Sequence, residues 1–430
     1  MAQQAIDHSV LEGDNILYIE NDHIRLGVNL ALGGCVTYLA EHGEENLINS
    51  FDWGRQVQMS FYSYPVPYQP EGVDMVEAWR TIGWNPIQCG DCFGHRSKVL
   101  ESRVEKDAVY VKCIPMHWPL DDFPGECTFE TWYKLNGRRV DVTARLNNAR
   151  PDTTQYPARS QELPAVYTNG RWCRTLAYIG TKPFTGEAIT VVEDRGSERI
   201  WPPRYCHCTE HWMALVDDND YGLGVYNPST ALFSGGFYGE FGVGGPKDAN
   251  TGYISPFQMD ILDHDIVYTY TYSLIVGDVE TIRAGAAELM QAAPVLPRWS
   301  FEKDRDHFWY ENIADEGVPK NGCLEFQFPV GGKLCSPIRL LPQGNRRLVL
   351  DAAFTGGTLP CKVSLNVYDC KAHERAYEYP RVEIAGTLQA DGVRKEHVLD
   401  LSAVGDVAST EFTLTFGAAG SAKIWSVRVE

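Results

Sequence analysis

The chain has 430 residues, of which 44% are hydrophobic, and it carries a formal net charge of −19 at pH 7. That length exceeds one ordinary hydrophobic core, so we expect two or three domains. The negative charge argues against a nucleic-acid partner, because phosphate binding needs a basic surface. No stretch approaches the roughly 20 apolar residues that a membrane-spanning helix needs, so we expect no membrane partner.

The sequence also bears on the cellular compartment. Residues 1–11 are polar and lack the apolar run of a signal peptide. The twelve cysteines are scattered along a long chain, which is typical of reduced thiols rather than of a disulfide framework. We therefore expect a cytoplasmic protein.

Strand patterns separated by turn residues dominate the chain up to Pro297. The runs 128–135 and 140–146 flank Asn136-Gly137, and this dipeptide predicts a tight hairpin because both residues tolerate positive φ. Further strands are predicted at 16–19, 23–30, 35–39, 97–104, 108–114, 175–178, 212–217, 222–226 and 265–275. One helix is predicted at 279–291, where Pro294 prevents its continuation.

The chain changes character near Pro297. Beyond it, short strands follow one another at regular spacing with Gly, Pro and Asp turns, which is typical of a β-sandwich. We therefore predict an all-β protein with a first domain at 1–297 and a smaller β-sandwich at 298–430. Residues 51–98 form a long stretch rich in Tyr, Trp, Pro and Gly, and a loop of that length is usually functional when it is not disordered.

A family resemblance enters at this point. A large all-β domain with one late helix and the hairpin Trp-Tyr-Lys-Leu-Asn-Gly-Arg-Arg-Val-Asp-Val, residues 132–142, resembles the galactose-mutarotase-like β-supersandwich. That fold is found in aldose epimerases and in the β-domains of many glycoside hydrolases and polysaccharide lyases. Residues 161–167 and 212–226 are similar to stretches in bacterial carbohydrate-active proteins. The resemblance covers 15–295 and implies a carbohydrate ligand. It also implies that the second sandwich is similar to a carbohydrate-binding module.

Glu162 is the leading catalytic candidate. It follows Arg159-Ser160-Gln161 and runs directly into the apolar segment 163–167, so its carboxylate lies near the core while still needing a partner. Desolvation of an unpaired carboxylate costs several kcal/mol and raises its pKa, as a general acid or base requires. The alternative is a structural ion pair with Arg159, Arg171 or Arg174.

A second acidic candidate lies in the segment 205–212. On a strand, alternation would place His207 and His211 on one face and Glu210 on the other. Glu210 precedes Trp212, so a catalytic acid would lie beside an aromatic platform for a sugar ring. The alternative is a surface glutamate on an ordinary strand.

The segment 84–96 crowds hydrogen-bonding side chains into a glycine-punctuated loop with aromatic neighbours. Gln88, Asp91 and His95 lie there with Trp84. Amide and carboxylate groups beside flat apolar surfaces suit a sugar, whose rim carries hydroxyls and whose face is apolar. The alternative is a folded loop in which Asp91 satisfies turn backbone.

No metal and no cofactor is expected. Cys89, Cys92, Cys206 and Cys208 supply enough thiolates for a zinc site, but buried free cysteines are usually inert. The glycine-rich stretches at 234–239 and 242–245 lack the lysine and helix of a phosphate loop. We interpret these stretches as turns, with a rim over the site as the alternative.

These patterns predict a glycoside hydrolase acting on an oligosaccharide, with Glu162 as general acid or base. Glu210 or Asp91 would supply the second carboxylate, assisted by His95 or His211. The predicted substrate contacts are Trp53, Trp84, Gln88, Arg159, Gln161, Tyr167, Trp201, His207 and Trp212. A uronate lyase, an epimerase and a non-catalytic sugar-binding protein remain as alternatives, and the oligomeric state is open.

Overall fold

The structure is a computed structural model, and it describes residues 6–193, 203–315, 317–319, 321–344, 346–368, 370–372 and 380–430. Strands dominate the described chain, and all the strand pairs recorded there are antiparallel. Short 3-10 helices occur at His8–Leu11, Leu30–Leu32, Glu77–Ile82 and Ser402–Val404. No helix of the described residues is long and apolar enough to span a membrane.

Nineteen strands precede the single α-helix within the described residues. They are β1 Ile16–Glu20, β2 Ile24–Asn29, β3 Cys35–Glu41, β4 Val57–Ser60, β5 Pro86–Ile87, β6 Lys98–Val104, β7 Ala108–Ile114, β8 Met116–His117, β9 Cys127–Asn136, β10 Arg139–Asn148, β11 Arg159–Asn169, β12 Arg174–Ala177, β13 Thr190–Glu193, β14 Arg204–His207, β15 Trp212–Val216, β16 Tyr221–Tyr226, β17 Leu232–Tyr238, β18 Thr251–Asp260 and β19 Val267–Asp278.

These strands form two facing sheets. The first has the order β1-β2-β3-β4-β11-β18-β17-β14, with β5 and β8 attached at β4. The second has the order β13-β12-β15-β16-β19-β10-β9-β7-β6. Alternating strands such as β9 and β10 bury every second residue, and the apolar faces of both sheets meet in one shared core. The predicted hairpin at 128–146 is confirmed by β9 and β10.

Helix α1, Val279–Ala292, packs on the outer face of the second sheet. Asp278 caps its amino terminus by accepting the N–H of Thr281 at 2.8 Å. Ile282 and Ala286 are buried against β15, β16 and β19. The helix ends before Pro294, so the prediction at 279–291 is confirmed.

Ten further strands follow α1 in the described residues and form a third sheet. They are β20 Arg298–Ser300, β21 Trp309–Glu311, β22 Ala314–Asp315, β23 Leu324–Phe328, β24 Lys333–Cys335, β25 Arg347–Val367, β26 Arg381–Asp391, β27 Lys395–Asp400, β28 Ser409–Phe416 and β29 Gly420–Val429. The long strand β25 pairs with β27 and β29 in its first half and with β26 and β28 in its second half. The all-β fold class is therefore confirmed, while the domain boundary at 297 stays a prediction.

The third sheet contacts the ends of two strands of the first sheet. Ala158, which precedes β11, and Ile261, which follows β18, are buried in the apolar core of the third sheet. His307 lies 3.1 Å from the carboxylate of Asp260 at the end of β18. The core of the third sheet thus includes residues that adjoin the central strands of the first.

Two secondary-structure predictions are wrong. The segment 205–212 is not one strand, because β14 ends at His207 and a turn occupies the residues before β15. The segment 234–239 is mostly strand β17 rather than turns. Gly235 permits this, since a Cβ there would lie 2.3 Å from the Met213 sulfur in the facing sheet.

Candidate functional site

A cavity of about 430 Å³ lies on the face of the first sheet that is turned away from the shared core. Its floor comes from β4, β11 and β18, and its walls come from irregular segments near residues 52, 79 and 118. The residues that line it are Asp52, Gly54, Arg55, Gln58, Ser60, Tyr62, Trp79, Ile82, Asn85, Ile87, Trp118, Glu162, Tyr167, Tyr238 and Thr251. We call this cavity the groove.

A β-bulge in β11 decides which side chains face the groove. The pairing of β11 with β18 shifts register between Glu162 and Val166, as expected when one strand carries an extra residue. In a regular strand, residues five apart lie on opposite faces, yet Glu162 and Tyr167 both line the groove. Leu163 and Val166 are both buried in the shared core for the same reason.

Glu162 is held by hydroxyl groups. Tyr253 donates its hydroxyl to Oε1 at 2.5 Å, and Tyr62 donates its hydroxyl to Oε2 at 2.9 Å. Ser60, the cross-strand neighbour of Glu162 on β4, adds a further hydrogen bond. Both carboxylate oxygens therefore have neutral donors rather than a cation as partners.

This setting perturbs the proton affinity of Glu162. Burial raises the pKa of Glu162 above its ordinary value, while the hydrogen bonds from Tyr253, Tyr62 and Ser60 act in the opposite direction. The net direction is upward, because neutral donors offset only part of the desolvation. A carboxyl group with a raised pKa that borders a cavity can hold a proton and deliver it to a ligand.

The ion-pair alternative for Glu162 is wrong in this structure. Arg171 pairs with Asp217 at 2.9 Å, and Arg174 pairs with Asp220 at 2.6 Å. Arg159 contacts backbone carbonyl groups, as described below.

A second carboxylate in the groove, Asp52, was missed by the sequence analysis. Burial raises its pKa, and Arg55, whose Nε lies 3.5 Å from Oδ2, acts to lower it. Burial raises the pKa of Tyr167, and the charges of Glu162 and Asp52 raise it further, so this hydroxyl lies within electrostatic reach of both acids. Asp52 is followed by Trp53-Gly54, which reads as an ordinary turn, and nothing in the local pattern marks it as a site residue.

Aromatic side chains form the exposed walls of the groove. Trp79 is 43% exposed and Tyr238 is 48% exposed, so part of each side chain is accessible to a ligand. The rings of Trp79 and Trp118 meet edge to face, with centroids 6.3 Å apart. Trp118 lies over Gly54, where a Cβ would come within 2.7 Å of the indole.

Arg159 positions one of these walls. Its Nη1 donates to the carbonyls of Ile82 at 2.8 Å and Ser63 at 3.2 Å, and its Nη2 donates to that of Thr81 at 3.5 Å. The carbonyls of Thr81 and Ile82 end the 3-10 helix that carries Trp79, and terminal carbonyls have no partner within their own helix. The predicted substrate contact for Arg159 is thus replaced by a supporting role for this helix.

The prediction that Glu210 is catalytic is wrong. Its side chain is fully buried, and Arg283 of α1 grips both oxygens, with Nη2–Oε1 at 2.7 Å and Nε–Oε2 at 2.9 Å. The Trp212 indole and the backbone N–H of Phe184 occupy the remaining acceptor positions. Glu210 attaches the helix to the second sheet and does not line the groove.

Asp91 and His95 also lie outside the lining of the groove. Asp91 Oδ1 accepts the N–H groups of Phe93 and His95, and its Oδ2 lies 2.9 Å from His95 Nδ1. Burial raises the pKa of Asp91. Burial alone would lower the pKa of His95, but the neighbouring Asp91 carboxylate raises it, and the net direction is upward. This carboxylate satisfies the loop backbone, which was the alternative interpretation.

The two remaining histidine candidates are structural. His211 is buried in the turn before β15, where its Nδ1 lies 3.1 Å from the carbonyl of Asn227. Burial lowers its pKa to about 4, so it is neutral at pH 7. His207 is buried at the end of β14, and its Nε2 lies 3.2 Å from the hydroxyl of Thr410 in the third sheet. Neither residue reaches the groove lining.

The predicted tryptophan platforms are wrong where the structure describes them. Trp53 is 1% exposed, and Trp84 and Trp212 are 0% exposed, so none presents a ring to a ligand. The indole N–H of Trp53 donates to the Gly94 carbonyl at 3.0 Å, which ties the 84–96 loop to the core. Trp201 lies outside the described residues.

The two predicted amide contacts serve the backbone instead. Gln161 accepts the N–H of Tyr62 and donates to its carbonyl, both at 2.8 Å. Gln88 is buried, accepts the N–H of Met59 and donates to the Gly33 carbonyl. Of the eight predicted substrate contacts that the structure describes, Tyr167 alone lines the groove.

One group of candidate metal ligands occurs in the described residues, formed by Asp91, His95 and Asp121. The oxygens of Asp91 in this group already accept loop hydrogen bonds. The twelve cysteines all lie in the described part of the chain, and each is a free thiol. Cys206 and Cys208 approach each other to 3.7 Å between sulfurs and are buried.

No protein-family profile and no curated protein matches the sequence. Among solved structures, the chain is similar to a galactose mutarotase-like protein from Lactobacillus casei, at 12% identity and a TM-score of 0.37 over 61% of this chain and 99% of that one. It is also similar to a galactose mutarotase related enzyme from Lactobacillus acidophilus, at 11% identity and a TM-score of 0.38 over 61% and 97%. The chain is similar as well to an α-galactosidase from Geobacillus stearothermophilus, at 9% identity and a TM-score of 0.35 over 64% of this chain and 40% of that one.

Proposed function

We propose that this protein is a carbohydrate-active enzyme that hydrolyses a glycosidic bond in a neutral oligosaccharide. The observation that carries the proposal is one groove lined by a half-buried, hydroxyl-bound glutamate, a second carboxylate and partly exposed aromatic side chains. Sugar rings have apolar faces that stack on aromatic side chains, and their cleavage generally uses two carboxyl groups.

Glu162 is assigned the general acid or base in this proposal. Its pKa is raised by burial, which favours a protonated carboxyl group that can donate to the oxygen of the departing sugar. Asp52 is assigned the second role, either activating water or attacking the anomeric carbon. Its partner Arg55 keeps the carboxylate oriented.

The charges in the groove favour a neutral substrate over a uronate. Arg55 is the cation among the described lining residues, and it is already engaged by Asp52 and by the carbonyl of Ala249 at 2.7 Å. A β-eliminating lyase needs a free cation to neutralise the uronate carboxylate. An epimerase of the kind named above pairs a glutamate with a histidine, and no histidine occurs among the lining residues that the structure describes.

The test is an activity screen on neutral and uronate-containing oligosaccharides and on 4-nitrophenyl glycosides. Reducing ends, ultraviolet absorbance and nitrophenol release are read together. We expect new reducing ends without an ultraviolet-absorbing product, and a loss of at least 100-fold in kcat for Glu162→Gln. Glu105→Gln, at an exposed position, is the matched control.

Three results would argue against this function. An ultraviolet-absorbing product would favour the lyase. Wild-type turnover by Glu162→Gln would remove the central role of this residue. Binding of sugars without turnover, unchanged in Glu162→Gln, would favour a non-catalytic sugar-binding protein.

A further inference from the structure

The tyrosine hydroxyls on Glu162 are not equivalent. Tyr62 lines the groove, whereas Tyr253 is 3% exposed and is not part of the groove lining. Each donates to a different oxygen of the same carboxylate. Tyr62 therefore borders the ligand space together with Glu162, whereas Tyr253 contacts Glu162 without lining that space.

We propose that Tyr62 is a catalytic residue that relays the proton between Glu162 and the substrate oxygen. This inference rests on the proposed function and adds a residue to it. A ligand in the groove that reaches the hydroxyl of Tyr62 is connected through 2.9 Å to Oε2 of Glu162. The relay needs no rotation of the carboxylate, which is held at both oxygens.

The relay can be written with a balanced proton count. When Glu162 is protonated at Oε2, its hydrogen bond with Tyr62 reverses: Oε2–H gives its proton to the Tyr62 oxygen, while the proton of the Tyr62 hydroxyl passes to the glycosidic oxygen. The bond from the anomeric carbon to that oxygen breaks with its electron pair leaving on the departing sugar, and Asp52 forms a bond to the anomeric carbon. Water then displaces Asp52, with its hydroxide bonding to the anomeric carbon, the electron pair of the ester bond returning to Asp52, and its proton returning through Tyr62 to Glu162.

Tyr62 remains a neutral phenol throughout this exchange. Burial raises the pKa of Tyr62 well above its ordinary value, and the charge of Glu162 raises it further. A free phenolate is therefore disfavoured, but a hydroxyl that accepts one proton while donating another never becomes charged. Donors and acceptors fixed before the reaction avoid the cost of reorganisation during it.

Two hydrogen bonds from the side chain of Gln161 fix the backbone of Tyr62. Gln161 accepts the N–H of Tyr62 and donates to the carbonyl of the same residue. Gln161 is fully buried, so its amide cannot exchange these bonds for bonds to bulk water. The strand that carries Glu162 thus also fixes the main chain of the residue proposed to share its proton.

The experiment compares Tyr62→Phe with Tyr253→Phe on a pair of substrates. Both variants remove one tyrosine hydroxyl from Glu162 and keep the ring. The substrates are a 4-nitrophenyl glycoside, whose leaving group needs little protonation, and the corresponding disaccharide, whose leaving group needs it. Rates are measured on the acid side of the pH profile, and melting temperatures confirm that both variants are folded.

With the relay, Tyr62→Phe lowers kcat on the disaccharide at least 100-fold and lowers bond cleavage in the nitrophenyl glycoside less than tenfold. Tyr253→Phe changes both rates less than tenfold. Equal effects of the two variants would overturn the relay while leaving the role of Glu162 intact. Full activity of Glu162→Gln would instead overturn the proposed function, so the two failures are distinguishable. If Tyr62→Phe does not fold, 3-fluorotyrosine at position 62 lowers the pKa of the same phenol, and an unchanged ratio of the two rates overturns the relay.

Discussion

Glu162 and Glu210 are both carboxylates beside aromatic residues, and their environments differ in two ways. Glu162 is half-buried, is bound by neutral hydroxyls and lines the groove. Glu210 is fully buried, is bound by the guanidinium of Arg283 and does not line the groove. Neutral hydroxyl partners leave the proton of a carboxyl group available for exchange, whereas a guanidinium forms a bidentate ion pair that fixes both side chains. The charge of the partner and access to the groove together separate the proposed site residue from the structural one.

The largest expected effect is the loss of stability when Glu210 is replaced. Glu210→Gln should lower the free energy of unfolding by about 3 kcal/mol, because it removes the ionic partner of the half-buried Arg283 guanidinium. Urea unfolding at pH 7 measures this loss. The corresponding loss for Glu162→Gln should be about 1–2 kcal/mol, because the hydroxyl partners of Glu162 carry no charge that the substitution would leave unpaired.

The control for Glu210 is the double variant Glu210→Leu with Arg283→Met. Replacing both members of a buried pair by apolar groups removes the unpaired charge, so the double variant should be more stable than Glu210→Gln. Equal stability losses in Glu162→Gln and Glu210→Gln would contradict the distinction between the two carboxylates.

A smaller effect is expected for Arg159, which binds the end of the 3-10 helix that carries Trp79. Arg159→Lys should raise KM about tenfold with little change in kcat, because a lysine cannot reproduce the forked contact to the carbonyls of Thr81 and Ile82. Steady-state kinetics on the best substrate from the screen separate the two parameters. A fall in kcat at unchanged KM would show that Arg159 acts on the chemistry instead of on the Trp79 wall.

The smallest expected effect is a shift in pH dependence. A hydrogen bond from Tyr253 lowers the pKa of Glu162, so Tyr253→Phe should raise that pKa. If protonated Glu162 is the active form, the alkaline limb of the kcat profile should move to higher pH by about one unit, since a bond to a charged group contributes about 1.5–3 kcal/mol. A shift to lower pH would have the wrong sign for a donor to the carboxylate.

The strand pattern of the chain was readable from the sequence, and parts of the site were not. Asn136-Gly137 marks a tight turn and Pro294 ends the helical run, so the hairpin and α1 were predicted correctly. Glu162 was predicted as a site residue because a polar side chain adjoins an apolar run, and it lines the groove. Leu163 and Val166 are three residues apart and both lie in the shared core. Residues three apart share a face only where a strand is irregular, so the apolar character of both residues is consistent with the bulge.

The site predictions that failed concern side chains whose contacts come from residues far away in the sequence. Nothing near Glu210 in the sequence points to Arg283, which is 73 residues away. Tyr62 and Tyr253 reach Glu162 from 100 and 91 residues away, respectively. The tryptophans Trp53, Trp84 and Trp212 were taken as platforms because sequence alone does not separate a buried indole from an exposed one. Trp79 lies in a short 3-10 helix and Tyr238 at a strand end, where the sequence pattern does not predict which side chains are exposed.

The burial of Ala158 and Ile261 in the core of the third sheet has a consequence for cooperativity. These residues adjoin the ends of β11 and β18, the strands that carry Glu162 and Tyr253. A chain shortened at 297 would expose both apolar side chains to water and would free the strand ends beside the proposed acid. The third sheet is therefore expected to unfold together with the first two sheets in one cooperative transition, rather than as an independent domain.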